Sequence, residues 1–369
     1  MEKNWTYKNK PITKVESLLK ALKITKKELI YLIDVKQKYY FLNLINVKGK
    51  ERATYKITGR LAEVQKNIRE HIISKIELPS YITGGRKGFS YTFDCNIHKG
   101  KEIILKEDIK NFFPSVTFEL VKKTFQYNFY FSSSVSEILA ELVTFNGGLV
   151  QGSILSTDIA NLVFLESEIE ISKDVGSLGG DYTRYVDDIT ISFDKKISNK
   201  SITLLKIKIY AMLKKKGFSI NRKKSEIIRP GQSKTVHGVK VNHLLKPSNK
   251  RKSNLRIELF NYSKKIDGKV ELSILLSQYR RIYGLINTIK QQGDNKSTKH
   301  IDKLNYLTSL IDENMAKREI RKLRKAKDLK NLRAMYSYLK PLCMVNKKIS
   351  DIMMREYNEK KKKLSVSIK

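Results

Sequence analysis

The chain has 369 residues, 40% of them hydrophobic, which is enough to bury one large core or two to three smaller ones and excludes a disordered chain. Its 74 Lys and Arg residues outnumber 37 Asp and Glu residues and give a net charge of +37. Such a surface repels itself unless a polyanion is its normal partner, so nucleic acid is the predicted partner. No membrane partner is expected, because no apolar run approaches the roughly 18 residues of a spanning helix and residues 1–5 lack the apolar core of a secretory signal.

The cysteine and histidine content predicts a cytoplasmic protein without a zinc site. Only Cys95 and Cys343 occur, and they lie far apart without the spacing of metal ligands. The five histidines likewise show no zinc-like pairing. Two reduced thiols in the cytoplasm are therefore expected.

The first 102 residues are predicted to form basic helices, a β-hairpin and a further helix. Apolar residues recur at helical spacing near the start of the chain, and Thr25 can cap a second helix that begins at Lys26. Two strand-like runs, Tyr39–Val47 and Arg52–Ile57, flank a turn at residues 48–50. The helix that follows has one apolar face, formed by Leu61, Val64, Ile68 and Ile72.

Residues 84–98 combine glycines with basic residues. The run starts as Gly-Gly-Arg-Lys-Gly and ends at His98. Glycine-rich basic segments suit a close approach to phosphate, although a glycine pair by itself indicates only a turn. A single histidine is more often structural than functional, so this stretch alone leaves both interpretations open.

An acidic residue ends the next predicted strand. The run Glu102–Ile109 is strand-like up to Asp108, and Pro114 then stops regular structure. Ser115 or Thr117 can cap the helix that follows. A sheet presents metal ligands at such a place, between an apolar strand and a turn, so Asp108 is a candidate ligand.

Two adjacent carboxylates are predicted at the tip of a second hairpin. The strands Tyr182–Val186 and Ile189–Phe193 are rich in β-branched and aromatic residues and meet at Asp187 and Asp188. Aspartate is also a common turn residue, so the pair by itself indicates little. Two divalent cations about 3.5–4 Å apart are the usual centre of nucleotidyl transfer and need carboxylates from separate strands. Asp108 supplies the additional carboxylate, and the three together predict such a centre.

The segments around these acidic residues are predicted to be helical, over residues 118–128, 133–145, 157–171 and 199–216. Between the acidic sites the chain reads Gly-Gly-Leu-Val-Gln-Gly-Ser-Ile-Leu-Ser. Two further strand-like blocks follow the last of these helices and are separated by a Pro-Gly turn.

These blocks together resemble the palm of a reverse transcriptase. The sequence Asp-Ile-Lys-Asn-Phe-Phe-Pro-Ser, beginning at Asp108, looks like the first catalytic motif of that family. Gln151 and Gly152, with Ala160-Asn161 further on, look like its substrate-positioning loop and helix. The sequence Tyr-Thr-Arg-Tyr-Val-Asp-Asp, ending at Asp188, looks like its second catalytic motif. Each block alone is a weak signal, whereas three in the correct order are a strong one.

The resemblance implies an α/β (α+β) right-hand polymerase with fingers, an antiparallel palm sheet that carries the Asp-Asp hairpin, and a helical thumb. It divides the chain into N-terminal helices and fingers at residues 1–102, a palm at 103–245, a thumb at 246–310 and a basic helical extension at 311–369. The helices predicted in the last two segments are Leu255–Lys265, Leu272–Gln291, Thr298–Asn314 and Lys317–Tyr338, with Lys360–Lys363 as a frayed basic tail.

The resemblance also implies a centre with two Mg²⁺ ions, for which Mn²⁺ can substitute. The implied ligands are Asp108, Asp187, Asp188 and the main-chain carbonyl of Ile109. One ion would hold the triphosphate, and the other would activate the primer 3′ hydroxyl for in-line attack on the α-phosphorus. Lys224, or alternatively Lys223, would lie near the departing pyrophosphate.

Substrate-binding residues follow from the same resemblance: Arg52, Lys87, Phe113, Gln151 and Gly152. Arg52 and Lys87 lie in the fingers region, whose basic residues would meet the triphosphate, although Arg52 can equally be a solvated cation of the hairpin. Gln151 and Gly152 would contact the template base and the incoming nucleotide. Phe113 would lie against the sugar C2′ and exclude a 2′-hydroxyl, so deoxynucleotides are the expected substrates; it can also be an ordinary core residue.

Two segments are similar to patterns of bacterial retron reverse transcriptases. Residues 84–98 resemble Gly-x-x-Lys-Gly…Ser…Asn-Ala-x-x-His, with Asp-Cys in place of Asn-Ala. Residues 234–242 resemble the primer-grip hairpin, with Val-His-Gly in place of Val-Thr-Gly. The implied contacts to RNA or primer are His98, His237 and Gly238, with Arg280 and Arg281 on the predicted thumb helix. A solvated basic face is an equally good interpretation of the two arginines.

The predicted function is RNA-directed DNA synthesis on a dedicated structured noncoding RNA, with a role in anti-phage defence by resemblance. The predicted partners are that RNA, the DNA product and dNTPs, and an effector protein and a homo-oligomer stay open. Two alternatives remain, a template-independent nucleotidyl transferase on the same fold and an RNA-binding scaffold without catalysis. The sequence does not identify the RNA or the priming group.

Overall fold

The structure, a computed structural model, describes residues 5–47, 49–268, 270–345 and 347–366. The chain divides into two compact units, a first unit of Met1–His237 with Val241–His243 and a second unit of Gly238–Lys240 with Leu244–Lys369. Within the described residues, none of the helices is both long and apolar enough to cross a membrane.

The first unit combines short strands with a shell of helices. Its helices are α1 (Val15–Leu22), α2 (Lys26–Asp34), α3 (Gly59–His71), α4 (Tyr91–Ile97), α5 (Phe112–Ser115), α6 (Phe118–Phe129), α7 (Ser133–Val143), α8 (Ser156–Leu162), α9 (Leu165–Ser177) and α10 (Asn199–Lys215), with 3₁₀ turns at Lys36–Tyr39 and Ile73–Lys75. Its strands are β1 (Thr6–Tyr7), β2 (Tyr40–Val47), β3 (Lys50–Ile57), β4 (Ile76–Glu77), β5 (Ile103–Asp108), β6 (Gly180–Tyr185), β7 (Asp188–Phe193), β8 (Glu226–Ile228) and β9 (Thr235–Val236).

The central sheet of the first unit is antiparallel, with the strand order β6-β7-β5-β8. Its central strands β5 and β7 are almost fully buried, and half of their residues are Ile, Leu or Phe. The strand predictions around Asp108 and around the Asp-Asp pair are confirmed. The predicted hairpin near residue 50 is confirmed as β2 and β3, which pair from Tyr40↔Ile57 onward. Lys48 of its predicted turn lies outside the described residues.

Two cap predictions have definite outcomes. Thr25 caps α2, because its hydroxyl accepts a hydrogen bond from the Glu28 main-chain nitrogen at 3.2 Å. Of the two candidate caps for α6, Thr117 performs that role by accepting from the Leu120 main-chain nitrogen at 3.3 Å. Both threonines thus satisfy a main-chain donor that has no partner within the first turn.

The single helix predicted over residues 157–171 is wrong. α8 ends at Leu162 and α9 begins at Leu165, so a turn at Val163 and Phe164 interrupts the helix. Phe164 is fully buried and stacks on Phe112 with ring centroids 6.1 Å apart. Apolar periodicity continues across the break because residues on both sides face the core, and periodicity alone therefore cannot locate it.

The second unit is helical. Its helices are α11 (Asn249–Asp267), α12 (Leu272–Gln291), α13 (Ser297–Ser309), α14 (Glu313–Arg321), α15 (Leu329–Val345) and α16 (Lys347–Val366), with a 3₁₀ turn at Lys322–Lys325 and an antiparallel pair of β10 (Val239–Lys240) and β11 (Lys246–Pro247). α12 has the predicted bounds. One hydrophobic cluster runs from Leu255 to Met353, so residues of the predicted thumb and of the predicted extension share a core.

Three predictions in the second unit are wrong. The helix predicted over Thr298–Asn314 is divided, because α13 ends at Ser309 and Asp312 caps α14. The helix predicted over Lys317–Tyr338 is interrupted, because Leu323 turns into the core within a 3₁₀ turn and Asp328 caps a new helix. The Asp328 carboxylate accepts from the Asn331 main-chain nitrogen at 2.7 Å. Lys360–Lys363 are part of α16 and not a frayed tail.

Candidate active site

The acidic residues meet at one end of the central sheet of the first unit. β5 ends at Asp108, and a two-residue turn of Val186 and Asp187 joins β6 to β7. Asp108 is the direct cross-strand partner of Asp188. The Ile109 main-chain nitrogen donates to the main-chain oxygen of Asp187 at 2.9 Å. The predicted convergence of carboxylates from separate strands is therefore present in the structure.

The turn that carries Asp187 is strained. Val186 has a φ of 61°, a left-handed conformation that a β-branched residue disfavours. Gly84 packs directly on this turn. A Cβ at Gly84 would collide with the Val186 main-chain nitrogen and lie 2.8 Å from the carbonyl carbon of Tyr185, so the close packing requires glycine. A strained residue persists only where its surroundings fix it, and the contacts of the turn do so here.

A fully buried ion pair fixes β6 close to this turn. The side chains of Arg184 and Glu168 are both 0% exposed, and they are joined by hydrogen bonds of 2.5 and 2.9 Å. Arg184 also donates to Asn161, at 2.9 Å to the main-chain oxygen and 3.1 Å to Oδ1, and to the main-chain oxygen of Val186 at 3.1 Å. The Tyr182 hydroxyl donates to Glu168 at 2.8 Å. One guanidinium thus connects the strained turn to α8 and α9.

The electrostatics of the cluster favour a bound cation. Burial, together with the neighbouring carboxylates of Asp188 and Asp108, raises the pKa of Asp187 to about 6. A buried anion beside other anions is costly unless a positive charge lies among them. Carboxylate and carbonyl oxygens are the donors that Mg²⁺ prefers, so the chemistry of the donor set fits that ion.

Asp108 already has positive and polar neighbours. Lys224 Nζ forms a short ion pair with Asp108 Oδ2, and Asn221 Nδ2 donates to Oδ1 at 3.0 Å. Burial opposes the charge on Lys224, yet its pKa is raised because of the hydrogen bond to Asp108. Of the two candidate lysines, Lys224 is therefore the one that contacts the cluster, and Lys223 is exposed.

In this structure the carboxylates of Asp108 and Asp188 are engaged by other side chains. In the described part of the chain, no group of three or more His, Cys, Asp or Glu side chains is arranged as a metal-binding cluster. Asp108 has both oxygens engaged by Lys224 and Asn221, and Asp188 faces His237. The ammonium of Lys224 must therefore move away from Asp108 Oδ2 before an ion can use that oxygen.

His237 lies on the other side of the cluster. Its Nε2 is 2.8 Å from Asp94 Oδ2, and its Nδ1 is 3.5 Å from Asp188 Oδ2. Burial opposes protonation, but the bonds to Asp188 and Asp94 raise the pKa of His237 to about 9. The predicted site residue His237 is thus brought to the carboxylates, together with Asp94, which the sequence did not single out as a site residue.

The predicted contact of His98 with RNA is contradicted by its burial. The side chain is 0% exposed, its Nδ1 is 2.8 Å from Ser192 Oγ, and its Nε2 is 2.8 Å from Thr183 Oγ1. Burial lowers the pKa of His98 to about 4. A neutral imidazole here braces β6 against β7, and both of its nitrogens are engaged within the sheet.

The predicted nucleotide-positioning loop is docked on the fingers hairpin. The Tyr55 main-chain nitrogen donates to the main-chain oxygen of Gln151 at 2.7 Å. Gly152 has a φ of 104°, and a Cβ there would lie 2.5 Å from the main-chain oxygen of Tyr55. Only glycine allows this close approach, which explains the residue type at that position.

The remaining predicted substrate residues of the first unit are more dispersed. Phe113 is half-buried next to Phe112, with ring centroids 5.8 Å apart. Arg52 is exposed on β3, opposite Ile45. Lys87 is exposed and lines a cleft of about 1590 Å³. No contact between these three side chains and the carboxylates is observed among the described residues.

The predicted RNA-contact residues of the second unit have protein partners. Arg280 is exposed, but its Nη2 donates to the main-chain oxygens of Ser337 and Tyr338 at 3.0 and 2.5 Å. Arg281 is 72% exposed and pairs with Glu258 at 2.5 Å. Gly238 has a φ of 72°, which suits glycine at this turn. Arg280 therefore fastens α12 to α15, and Arg281 is the more accessible of the two.

The sequence profile of the family described as "Reverse transcriptase (RNA-dependent DNA polymerase)" matches residues 20–254, a segment that contains all of the acidic residues above. The chain belongs to this family. The predicted right-hand polymerase fold is thereby confirmed.

Several retron proteins are similar to this chain. The retron Se72 reverse transcriptase of Salmonella heidelberg is 34% identical, over 63% of this chain and 63% of the relative. The retron Ec48 reverse transcriptase of Escherichia coli is 29% identical, over 65% of this chain and 62% of the relative. The chain thus spans less than two thirds of the length of these relatives. The structure of apo telomerase from Candida tropicalis aligns with 91% of this chain and 71% of its own, at 11% identity and a TM-score of 0.44.

The residues whose contacts fix the hairpin that carries Asp187 and Asp188 were not identified from the sequence. Glu168, Arg184 and Asp94 were not assigned a role, although Glu168 lies at helical spacing from the apolar residues Leu165, Ile171 and Val175. A charged residue on an apolar face is the signal that can reveal a buried polar network. The identity of the partner still requires the tertiary structure.

Proposed function

We propose that this protein is an RNA-directed DNA polymerase that copies a dedicated structured RNA by two-metal nucleotidyl transfer. The observation that supports this best is the meeting of Asp108, Asp187 and Asp188 at one end of an antiparallel sheet, inside the segment that matches the family. The raised pKa of Asp187 supports a cation as the normal neighbour of this cluster.

The chain's own residues would perform distinct tasks at this site. Asp108, Asp187, Asp188 and the main-chain carbonyl of Ile109 would hold two Mg²⁺ ions, and Mn²⁺ would be accepted by the same oxygens. When bound, such ions neutralise charge on the transferring phosphoryl group and lower the pKa of the primer 3′ hydroxyl. Lys224 would place its positive charge beside the departing pyrophosphate after leaving Asp108.

Substrate handling is assigned to residues around the cluster. Gln151 and Gly152, held against Tyr55, would position the template base and the incoming nucleotide. Phe113 would exclude the 2′-hydroxyl of a ribonucleotide. Contacts to phosphates, RNA or primer are proposed for Arg52, Lys87, Gly238, Arg280 and Arg281. The side chain of His237 is only 11% exposed, and its ring nitrogens face Asp94 and Asp188.

The biological role is proposed from the relatives. Their names identify them as retron reverse transcriptases, which supports a dedicated noncoding RNA as the template. The net charge of +37 supports a nucleic acid partner independently. By the family resemblance, we extend this to a role in anti-phage defence.

The test uses the full chain purified with whatever RNA accompanies it, in Mg²⁺ with labelled dNTPs. Wild type, Asp187→Asn and the control Asp194→Asn are compared, because Asp194 lies just beyond the opposite end of β7, pairs with Lys101 and is 65% exposed. We expect DNase-sensitive label from wild type and control only, and sequencing of that product identifies the template.

Other outcomes would overturn the proposal. RNA retention without incorporation in all three proteins, even with supplied primer–template, would favour the scaffold. Incorporation that persists without any template would favour a template-independent transferase.

A further inference from the structure

The buried carboxylate of Asp94 lies next to the hairpin of β6 and β7, and the proposed chemistry assigns no task to it. Asp94 lies on α4, and its side chain is 0% exposed. Its Oδ1 accepts from the Thr83 hydroxyl at 2.6 Å, and its Oδ2 lies 2.8 Å from His237 Nε2. A buried carboxylate is retained only where hydrogen bonds compensate for lost hydration, and Thr83 and His237 supply those bonds here.

His237 connects this carboxylate to the acidic cluster. Its second ring nitrogen, Nδ1, lies 3.5 Å from Asp188 Oδ2. The imidazole also packs on the ring of Tyr185, with centroids 4.6 Å apart, and Tyr185 is the cross-strand partner of Asp188. The ring therefore touches both residues that form the base of the Asp-Asp turn. Because the Asp188 side chain is 45% exposed, it has few other contacts to fix its rotamer.

The same network is tied to the main chain of the hairpin. Thr83 N donates to the main-chain oxygen of Arg184 at 3.0 Å, and the Thr83 hydroxyl lies 3.3 Å from the same oxygen. Thr83, Asp94 and His237 thus hold one side of the hairpin, while Glu168 and Asn161 hold the other through the Arg184 side chain.

The main chain at His237 adopts an uncommon conformation. Its φ of 47° lies in the left-handed region, where an ordinary side chain is disfavoured.

We infer that Asp94 and His237 form a positioning pair that orients the Asp188 carboxylate for nucleotidyl transfer. This inference rests on the proposed polymerase function. His237 is a positioning residue that acts through Asp188, and Asp94 acts through His237. Residues that orient metal ligands in this way typically contribute about 10- to 100-fold to activity.

The experiment is a double-mutant cycle in the rate of dNTP incorporation. Asp94→Asn, His237→Asn and the double variant are compared with wild type on a supplied primer–template, and kcat and KM are measured separately. Asparagine suits position 237 because it tolerates the left-handed conformation. His243→Asn is the matched control, since His243 is exposed in the same unit. The fluorescence of Trp5, the single tryptophan and part of the core of the first unit, confirms that each variant is folded.

Each single variant should lower kcat about 10- to 100-fold with little change in the KM for primer–template, and the double variant should be no slower than His237→Asn. The inference would be overturned if the losses of kcat in the two single variants multiplied in the double variant, because Asp94 would then not act through His237. A raised KM for primer–template at unchanged kcat would also overturn it and show that His237 contacts the primer.

If His237→Asn does not fold, an unchanged kcat in Asp94→Asn alone refutes the inference. An inactive wild type refutes the proposed function itself, whereas an active wild type with either adverse result refutes only the positioning pair.

Discussion

The ion pair of Arg184 and Glu168 gives the sharpest prediction for stability. In the variant Glu168→Gln, the side chain keeps its shape but loses its charge, and one acceptor oxygen becomes a donor. That donor faces groups that already donate, namely the guanidinium of Arg184 at 2.5 and 2.9 Å and the hydroxyl of Tyr182 at 2.8 Å. Arg184 then remains as a fully buried charge without a counter-ion.

The magnitude follows from burial and from the bonds that remain. Removing one partner of a buried pair costs about 3–5 kcal/mol, because the other charge stays uncompensated. Arg184 retains its three bonds to Asn161 and Val186, which lower the cost toward the smaller value. We therefore expect Glu168→Gln to lose about 3 kcal/mol of the free energy of unfolding of the first unit. Activity should fall too, because the strained turn at Val186 loses a rigid neighbour.

The assay is urea unfolding followed by Trp5 fluorescence, since Trp5 is 3% exposed in the core of the first unit. Glu170→Gln is the matched control, because Glu170 is exposed on the same helix, α9, and its change should stay within about 0.5 kcal/mol. A loss in Glu168→Gln that equals that of the control would show that Arg184 is not left uncompensated and would refute the reasoning.

Three further predictions follow from the same unit. Gly84→Ala forces a Cβ against the main chain of Val186 and should destabilise by about 1–3 kcal/mol, whereas Gly176→Ala, in open space within α9, should stabilise by up to about 1 kcal/mol in the same urea assay. His98 has a pKa of about 4 in the fold and 6.5 ordinarily, so at this residue the unfolded chain binds more protons in that window. The contribution of His98 to the free energy of unfolding, measured as the difference between wild type and His98→Asn, should therefore fall by about 2 kcal/mol from pH 7.5 to 5. His98→Asn should remove this acid-dependent loss, and an unchanged pH slope would contradict the assignment. Phe113→Ala should raise incorporation of ribonucleotides relative to deoxynucleotides on the order of tenfold or more, and an unchanged ratio would exclude Phe113 as the sugar gate.

The sequence by itself determined the strands and the acidic residues of the candidate site. Asp108 stands at the end of an apolar strand, and the Asp187-Asp188 pair stands between two strand-like runs. Both signals are local, because side-chain alternation and turn composition act over a few residues. The same holds for the Thr25 cap and for the bounds of α12.

Only the tertiary structure decided which residues hold these carboxylates. The bond between Lys224 and Asp108 spans 116 positions, and the bond between His237 and Asp94 spans 143. Local patterns carry no information about such partners, since the sheet and its covering helices bring them together.

The burial of His98 was not predicted, for a related reason. His98 was a candidate for RNA contact by its place in a motif, whereas the fold encloses it between Ser192 and Thr183. The break between α8 and α9 was missed because periodicity reports that a residue faces the core without reporting the direction of the chain. A sequence pattern thus identifies reactive groups and regular elements, while their charge, orientation and neighbours depend on contacts between distant segments.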